Sequence, residues 1–180
     1  MTSIRLCRAD ERDTILEIIN AAAEAYRGVI PADRWHEPYM SRRELDGEIA
    51  AGVVFWGSAA PDTEGAALVG VMGIQPVQDV DLIRHAYVRP GGQRHGVGGA
   101  LIEHLRRQTT RRMLVGTWEA AEWAVRFYGR TASIGSRPSA RPRCSSAIGP
   151  FQSVRSRPRS CWPIRRSRTE TRSISTMPSM

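Results

Sequence analysis

Between Tyr87 and Leu101 the chain reads Tyr-Val-Arg-Pro-Gly-Gly-Gln-Arg-His-Gly-Val-Gly-Gly-Ala-Leu. The stretch is a strand end, a glycine-rich turn and the first turn of an amphipathic helix, because Val97, Leu101, Ile102 and Leu105 recur at helical spacing. Such a turn presents backbone N–H groups at the positive end of a helix dipole, an arrangement that suits a phosphate or pyrophosphate. No Gly-Lys-Ser/Thr follows, so it is not a P-loop. As a dinucleotide fingerprint, Gly96-Val97-Gly98-Gly99 is a weak match. Taken alone, the turn also reads as glycine used only for positive φ. Two side chains near it could move a proton. His85 lies on the preceding strand and is of the type that titrates near neutrality. Glu119 ends the next strand. Each also reads as a solvated or hydrogen-bonded surface group.

The elements that must position these groups are legible from periodicity. Ile4–Cys7 reads as an opening strand. Ile15, Ile18, Ile19, Ala22 and Tyr26 mark a helix with one face on a core. Pro31 to Pro38 breaks the pattern, and Ser41 with Glu44 three residues on forms a capping box for a second helix. Strands follow over 53–57, 67–74 and 80–88, the first two joined by a hairpin loop at 61–65. After the glycine turn and its helix come a buried strand over 113–118 and a helix over 119–128, with Ala120, Trp123, Ala124 and Phe127 inward. Strands and helices in mixed order predict an α/β or α+β fold with a mixed sheet.

Composition bounds the function. The chain of 180 residues has room for one domain. No apolar run is long enough for a membrane span, so no membrane partner is expected, and the N-terminus shows no signal-peptide pattern. The cysteines at 7, 144 and 161 are scattered, which predicts no disulfide framework and no metal site. A cytoplasmic setting follows. The net charge of +8 is not spread evenly. Residues 1–130 carry 16 Arg against 17 acids, and residues 131–180 carry 10 Arg against Glu170 alone. The absence of lysine points to GC-rich coding DNA.

The order of motifs resembles the GCN5-related N-acetyltransferase (GNAT) superfamily over residues 4–130. Its pyrophosphate loop reads Gln/Arg-x-x-Gly-x-Gly/Ala, here Gln93-Arg94-His95-Gly96-Val97-Gly98, and its later helix carries the Phe127-Tyr128 pair. The resemblance implies a mixed, mostly antiparallel sheet flanked by helices, and acetyl-CoA as acetyl donor. It assigns Gln93, Arg94, His95, Gly96, Val97, Gly98 and Gly99 to the pyrophosphate, and the strand edge at Tyr87 and Val88 to the pantetheine amides. That strand is expected to splay from the strand at Met113–Trp118 and so admit the acyl chain. Tyr128 matches the family tyrosine that protonates the departing thiolate. His85 and Glu119 stay open as bases beside a water relay. Trp35, His36, Glu37 and Tyr39 fall in the loop that lines the acceptor site in this family. The acceptor is a primary amine, on a small molecule or a protein, and relatives often dimerise.

From Thr131 the pattern stops. Arg, Ser and Pro dominate, and such a segment predicts disorder. The family's helix normally continues Phe-Tyr-x-x-x-Gly-Phe into two more strands. Thr131-Ala132-Ser133 can be encoded ACG-GCT-TCn, and read one nucleotide earlier after a C it becomes His-Gly-Phe. The same shift turns 148–154 into a permitted Tyr-Trp-Thr-Ile-Pro-Glu-Arg, and 161–163 into Leu-Leu-Ala with the last two forced. These coincidences predict a frameshift at codon 130. A GNAT domain over 1–130 would then lack its last two strands and have impaired turnover. Two alternatives remain. One is a remnant that binds CoA without turnover. The other, disfavoured by the sparse aromatics, takes the basic tail as a nucleic-acid arm.

Overall fold

In the computed structural model the described residues are 3–59, 67–133 and 160–164. Their strands are β1 (Ser3–Leu6), β2 (Val54–Ala59), β3 (Leu68–Val77), β4 (Val80–Val88), β5 (Arg112–Thr117) and β6 (Ser160–Ile164). Their helices are α1 (Arg12–Ala23), α2 (Arg42–Ala50), α3 (Val97–Gln108) and α4 (Glu122–Ser133). The strands form one sheet in chain order, antiparallel throughout except for the parallel pair β4–β5. The fold is the mixed, mostly antiparallel sheet with flanking helices that the sequence led us to expect.

Each face of the sheet has its own core. On one, Ile15, Ile18 and Ile19 of α1 and Leu45 of α2 pack on Phe55, Leu68 and Val71. On the other, Val97, Leu101, Ile102 and Leu105 of α3 pack with Ala124 and Tyr128 of α4 on Met72, Ile83, Met113 and Val115. The odd and even residues of the strands thus serve two different helical layers. Helix α2 begins at the expected capping box: Ser41 Oγ accepts from the Glu44 N–H at 3.3 Å, and the Ser41 N–H donates to Glu44 Oε2 at 2.7 Å.

Two expectations need correction. The helix expected over 119–128 starts three residues later and runs to Ser133. Its inward face is therefore rotated: Ala124 and Tyr128 are buried, with Ala121 just ahead of the helix, whereas Trp123 is 40% exposed and Ala120 faces solvent. The second correction falls in the tail. Ser160–Ile164 is not without structure but forms β6, antiparallel to β5 from Met113↔Ile164 to Thr117↔Ser160. The outer edge of β5 offers unpaired ladder groups, and the short apolar run around Trp162 supplies a strand to meet them. Pro163 is compatible with this outermost position, where a missing N–H leaves no inner ladder broken. One strand beyond β5 is therefore present. The hairpin loop at 61–65 and the rest of the tail lie outside the described residues.

Candidate active site

Strand β4 carries the feature that shapes the site. It pairs with β3 as Gly70↔Val88 and Val71↔Tyr87, then as Gly73↔Arg84, so Met72 faces two residues, His85 and Ala86. This is a β-bulge, and His85 sits in it with φ +48. A bulge re-aims side chains and raises local twist. Here it breaks the alternation of β4, so that the consecutive residues Arg84 and His85 both reach Glu48 on α2.

The bulge also ends the pairing of β4 with β5. The two strands are hydrogen-bonded only from Val80↔Arg112 to Ile83↔Val115. Beyond Ile83 they diverge, leaving a slot through the sheet with a cavity of about 70 Å³ lined by Tyr26, Ile83, His85, Ala86, Tyr87, Val115, Gly116, Thr117 and Tyr128. On the β5 side, β4 from Arg84 to Val88 makes no strand pairing among the described residues. The slot joins the two faces of the sheet. Tyr128 enters it from α4, and Tyr26 from the turn after α1.

The glycine-rich turn lies past the end of β4. The Arg89 N–H donates to Val69 O at 2.9 Å and its Nε donates to Leu68 O at 3.0 Å, which pins the strand end. The chain then makes a tight turn at Pro90–Gly92 and two left-handed residues, Arg94 at φ +66 and Gly96 at φ +78. Gly96 is the N-cap of α3 and needs glycine for that conformation. A Cβ on Gly98 would stand 3.1 Å from the Phe127 ring, so this glycine permits the close approach of α3 to α4. Among the described residues no acceptor is found for the amides of Arg94, His95, Gly96, Val97, Gly98 or Gly99. A Cβ built on Gly96 or Gly99 meets nothing within 4 Å. The turn is thus an open cradle of unpaired amides at a helix N-terminus, which fits a diphosphate.

The remaining candidates are placed as follows. Tyr128 is buried, and burial pushes its phenol well above the usual value. Tyr87 lines the slot and is pushed up by burial in the same way. His85 stacks on Phe55 with ring centroids 6.1 Å apart. Its Nε2 lies 3.3 Å from Glu48 Oε2, and Arg84 Nη2 donates to Glu48 Oε1 at 2.7 Å. The His85 ring, ahead of Arg84, holds the Glu48 carboxyl below the usual carboxylate range. Glu119 is exposed in the turn between β5 and α4 and does not line the slot.

The loop between α1 and α2 brings Trp35, His36 and Tyr39 together: Tyr39 is 5.4 Å from Trp35 and stacked 6.2 Å from His36. Tyr39 in turn meets Tyr87 edge-on at 6.4 Å. Glu37 is exposed and paired with Arg27, whose guanidinium lies 5.0 Å from the Trp35 ring centroid. Periodicity alone did not mark Tyr26 as more than a core residue, nor Trp123 as a wall. Their rings meet at 5.3 Å and extend the aromatic surface from the loop to α4. Among the described residues no group of three or more His, Cys, Asp or Glu side chains gathers as a metal site, and no helix is long and apolar enough to cross a membrane.

The profile of the acetyltransferase (GNAT) family matches residues 15–132, a span that holds the bulge, the slot, the cradle and Tyr128. The chain belongs to the GNAT family. Solved GNAT structures share its fold at low identity. One is a GNAT-family acetyltransferase from Staphylococcus aureus Mu50, 16% identical over 92% of this chain and 100% of that one, with a TM-score of 0.61. Another is the PaiA N-acetyltransferase of Thermoplasma acidophilum in complex with coenzyme A, 17% identical over 72% and 87% of the two chains, with a TM-score of 0.58. A third is the ribosomal-protein-S18-alanine N-acetyltransferase of Escherichia coli, 15% identical over 94% and 98%, with a TM-score of 0.56. No curated protein matches the chain. The family's chemistry is acyl transfer, and its donor is acetyl-CoA.

Proposed function

We propose that this GNAT chain transfers the acetyl group of acetyl-CoA to a primary amine, and that an out-of-frame tail after codon 130 impairs its turnover. The observation that carries the reading is the slot between β4 and β5 opening beside the amide cradle at the start of α3. The amides of Arg94 to Gly99, with Gln93 at the entrance, would hold the diphosphate, and the unpaired β4 edge at Tyr87 and Val88 the pantetheine amides. Acetyl-CoA supplies an activated thioester when bound.

An ammonium must shed a proton before it is a nucleophile, and a departing thiolate must gain one, so the protein has to provide one base and one acid. Tyr128 holds its proton on Oη at the slot; burial keeps the phenol protonated and ready to act as the acid. His85 lines the same slot and serves as the base. Glu119 stands outside it and retains a role only through a water relay. Trp35, His36, Glu37 and Tyr39 border the face from which the acceptor arrives, and the aromatic surface there favours an amine with an apolar body.

The test inserts one C after codon 130 of the gene, which for the coding ACG-GCT-TCn converts Thr131-Ala132-Ser133 to His-Gly-Phe. CoA binding is measured by calorimetry and acetyl transfer to an amine panel by thiol release, for both products. We expect both to bind CoA and the repaired chain to turn over at least ~10-fold faster, in line with the loss of precise reactant placement. Equal and robust turnover by the 180-residue chain overturns the impairment. CoA binding without any turnover identifies a remnant, and no CoA binding removes the donor reading.

A further inference from the structure

We propose that Glu48 is the positioning residue of a Glu48–His85 pair: its carboxylate keeps the proton on His85 Nε2 and so leaves Nδ1 as the nitrogen that takes a proton from the acceptor ammonium. The inference rests on the acetyl-transfer reading above and adds to it a residue that the sequence did not suggest.

Three observations meet at this point. First, the bulge turns Arg84 and His85 toward the same face, and both converge on one carboxylate. A regular strand would send one of them to the opposite face. Second, His85 Nε2 and Glu48 Oε2 are both buried, both without a formed hydrogen bond, and only 3.3 Å apart. A buried acceptor and a buried ring nitrogen left unpaired are each costly, and here each is the polar neighbour the other needs. Third, His85 Nδ1 has no hydrogen bond among the described residues and, unlike Nε2, is not a buried unpartnered atom, so it is the ring nitrogen left accessible. His85 is itself one of the residues that line the slot that the thioester would enter.

The chemistry follows from this division of the ring. An imidazole carries one N–H, and the nitrogen opposite a carboxylate is the one that keeps it. His85 Nδ1 therefore offers the lone pair. It takes one proton from R–NH3+, giving a neutral amine and an imidazolium. The Glu48 carboxylate, itself held by Arg84, offsets the new charge, and the imidazolium returns the proton to water from Nδ1. No group other than the amine changes its proton count over the cycle. The titratable groups around the pair are Glu44 and Glu48 from α2, Arg84 and Tyr87 from β4, Tyr26 from the turn after α1 and Tyr128 from α4. Burial raises all three phenols, so the charges nearest His85 are those of Glu48 and Arg84, with the Glu44 carboxylate one helical turn from Glu48.

Two measurements on the 180-residue chain test the pair. In the first, the Glu48 carboxyl is titrated by carbon NMR in the wild type and in His85→Asn, a side chain that tolerates the left-handed backbone. The Glu48 midpoint is expected to rise in the variant; an unchanged midpoint overturns the pairing, and this readout requires no turnover. In the second, Glu48→Gln is expected to lower kcat by about 10- to 100-fold, less than the ~10²–10⁴ of a lost general base. The acceptor KM and the calorimetric CoA affinity stay unchanged, and Glu48→Asp recovers part of kcat. Wild-type kcat in a folded Glu48→Gln chain, or an equal loss in Glu48→Asp, overturns it. Failure of the wild type to bind CoA is seen separately in calorimetry and removes the underlying reading with it.

Discussion

His85 occupies a left-handed backbone conformation that a non-glycine residue adopts at a cost of about 1–2 kcal/mol. The surrounding contacts with Phe55 and Glu48 hold it there, and the bulge gives that strain a purpose at the slot. Tyr128 lines the same slot from helix α4, on the sheet face opposite the one where His85 meets Glu48. At this scale the two proposed proton carriers are separable by mutation. Tyr128→Phe removes only the hydroxyl from a buried ring, so the fold and the CoA affinity are retained. We expect kcat to fall ~10²-fold or more, as for a lost general acid. Because burial raises the Tyr128 phenol, the wild-type rate should show no basic limb from this group around neutral pH. Single-turnover kinetics with calorimetry alongside checks both points; a loss of CoA affinity that matches the loss of rate would assign Tyr128 to binding instead.

The elements reach the site because their ends are tied. The Ser41–Glu44 box starts α2 and so fixes the height at which Glu48 meets β4. Strand β1 is clamped to the turn before α1 by Arg5 and Glu11, with Nη2–Oε1 at 2.6 Å and Nη1–Oε2 at 2.8 Å. The Arg5 guanidinium, helped by the Arg8 N–H, brings the Glu11 carboxyl down to about 2. The folded state therefore binds this proton less tightly than the unfolded chain does. Its stabilisation is complete above the unfolded carboxylate value of ~4.3 and is lost as pH falls toward 2. Thermal melts from pH 7 to 2 should show the wild type losing Tm more steeply across that window than Glu11→Gln, which starts lower and stays flatter. Parallel curves for the two proteins would show that the clamp contributes nothing. The span of β4 was legible from the run Val80–Val88 that closes before Pro90, and the start of α2 from its capping box. The start of α4 was not: Glu119 and Ala120 have helix-compatible side chains, but the chain still turns there to leave β5.

For the molecule as a whole, the unusual element is β6, which a strongly basic tail lends to the edge of β5. Without it β5 would present a row of unpaired backbone groups, a template for pairing with another chain. Ending the chain after residue 133 is expected to lower the melting temperature and raise the rate of aggregation, followed by light scattering during a thermal ramp. An unchanged melt would show that β5 needs no partner at that edge. The tail also contains the reading-frame coincidences, so one truncation probes the edge while the one-nucleotide repair probes the frame.

Local signals determined strands β1 to β5, the buried faces of α1 and α3, the glycine turn and the Phe127-Tyr128 pair, since alternation, helical spacing and glycine placement act over a few residues. Those same signals supported the family resemblance and the donor. Tertiary structure decided the rest. The bulge depends on how β4 registers against β3, and no residue type near His85 announces it. The slot depends on where the parallel pairing of β4 and β5 ends. Glu48 reaches His85 across 37 positions of sequence only because α2 packs on the sheet face toward which the bulge turns the ring. Contacts of that kind are set by packing between distant segments, and a periodicity read along one segment has no term for them.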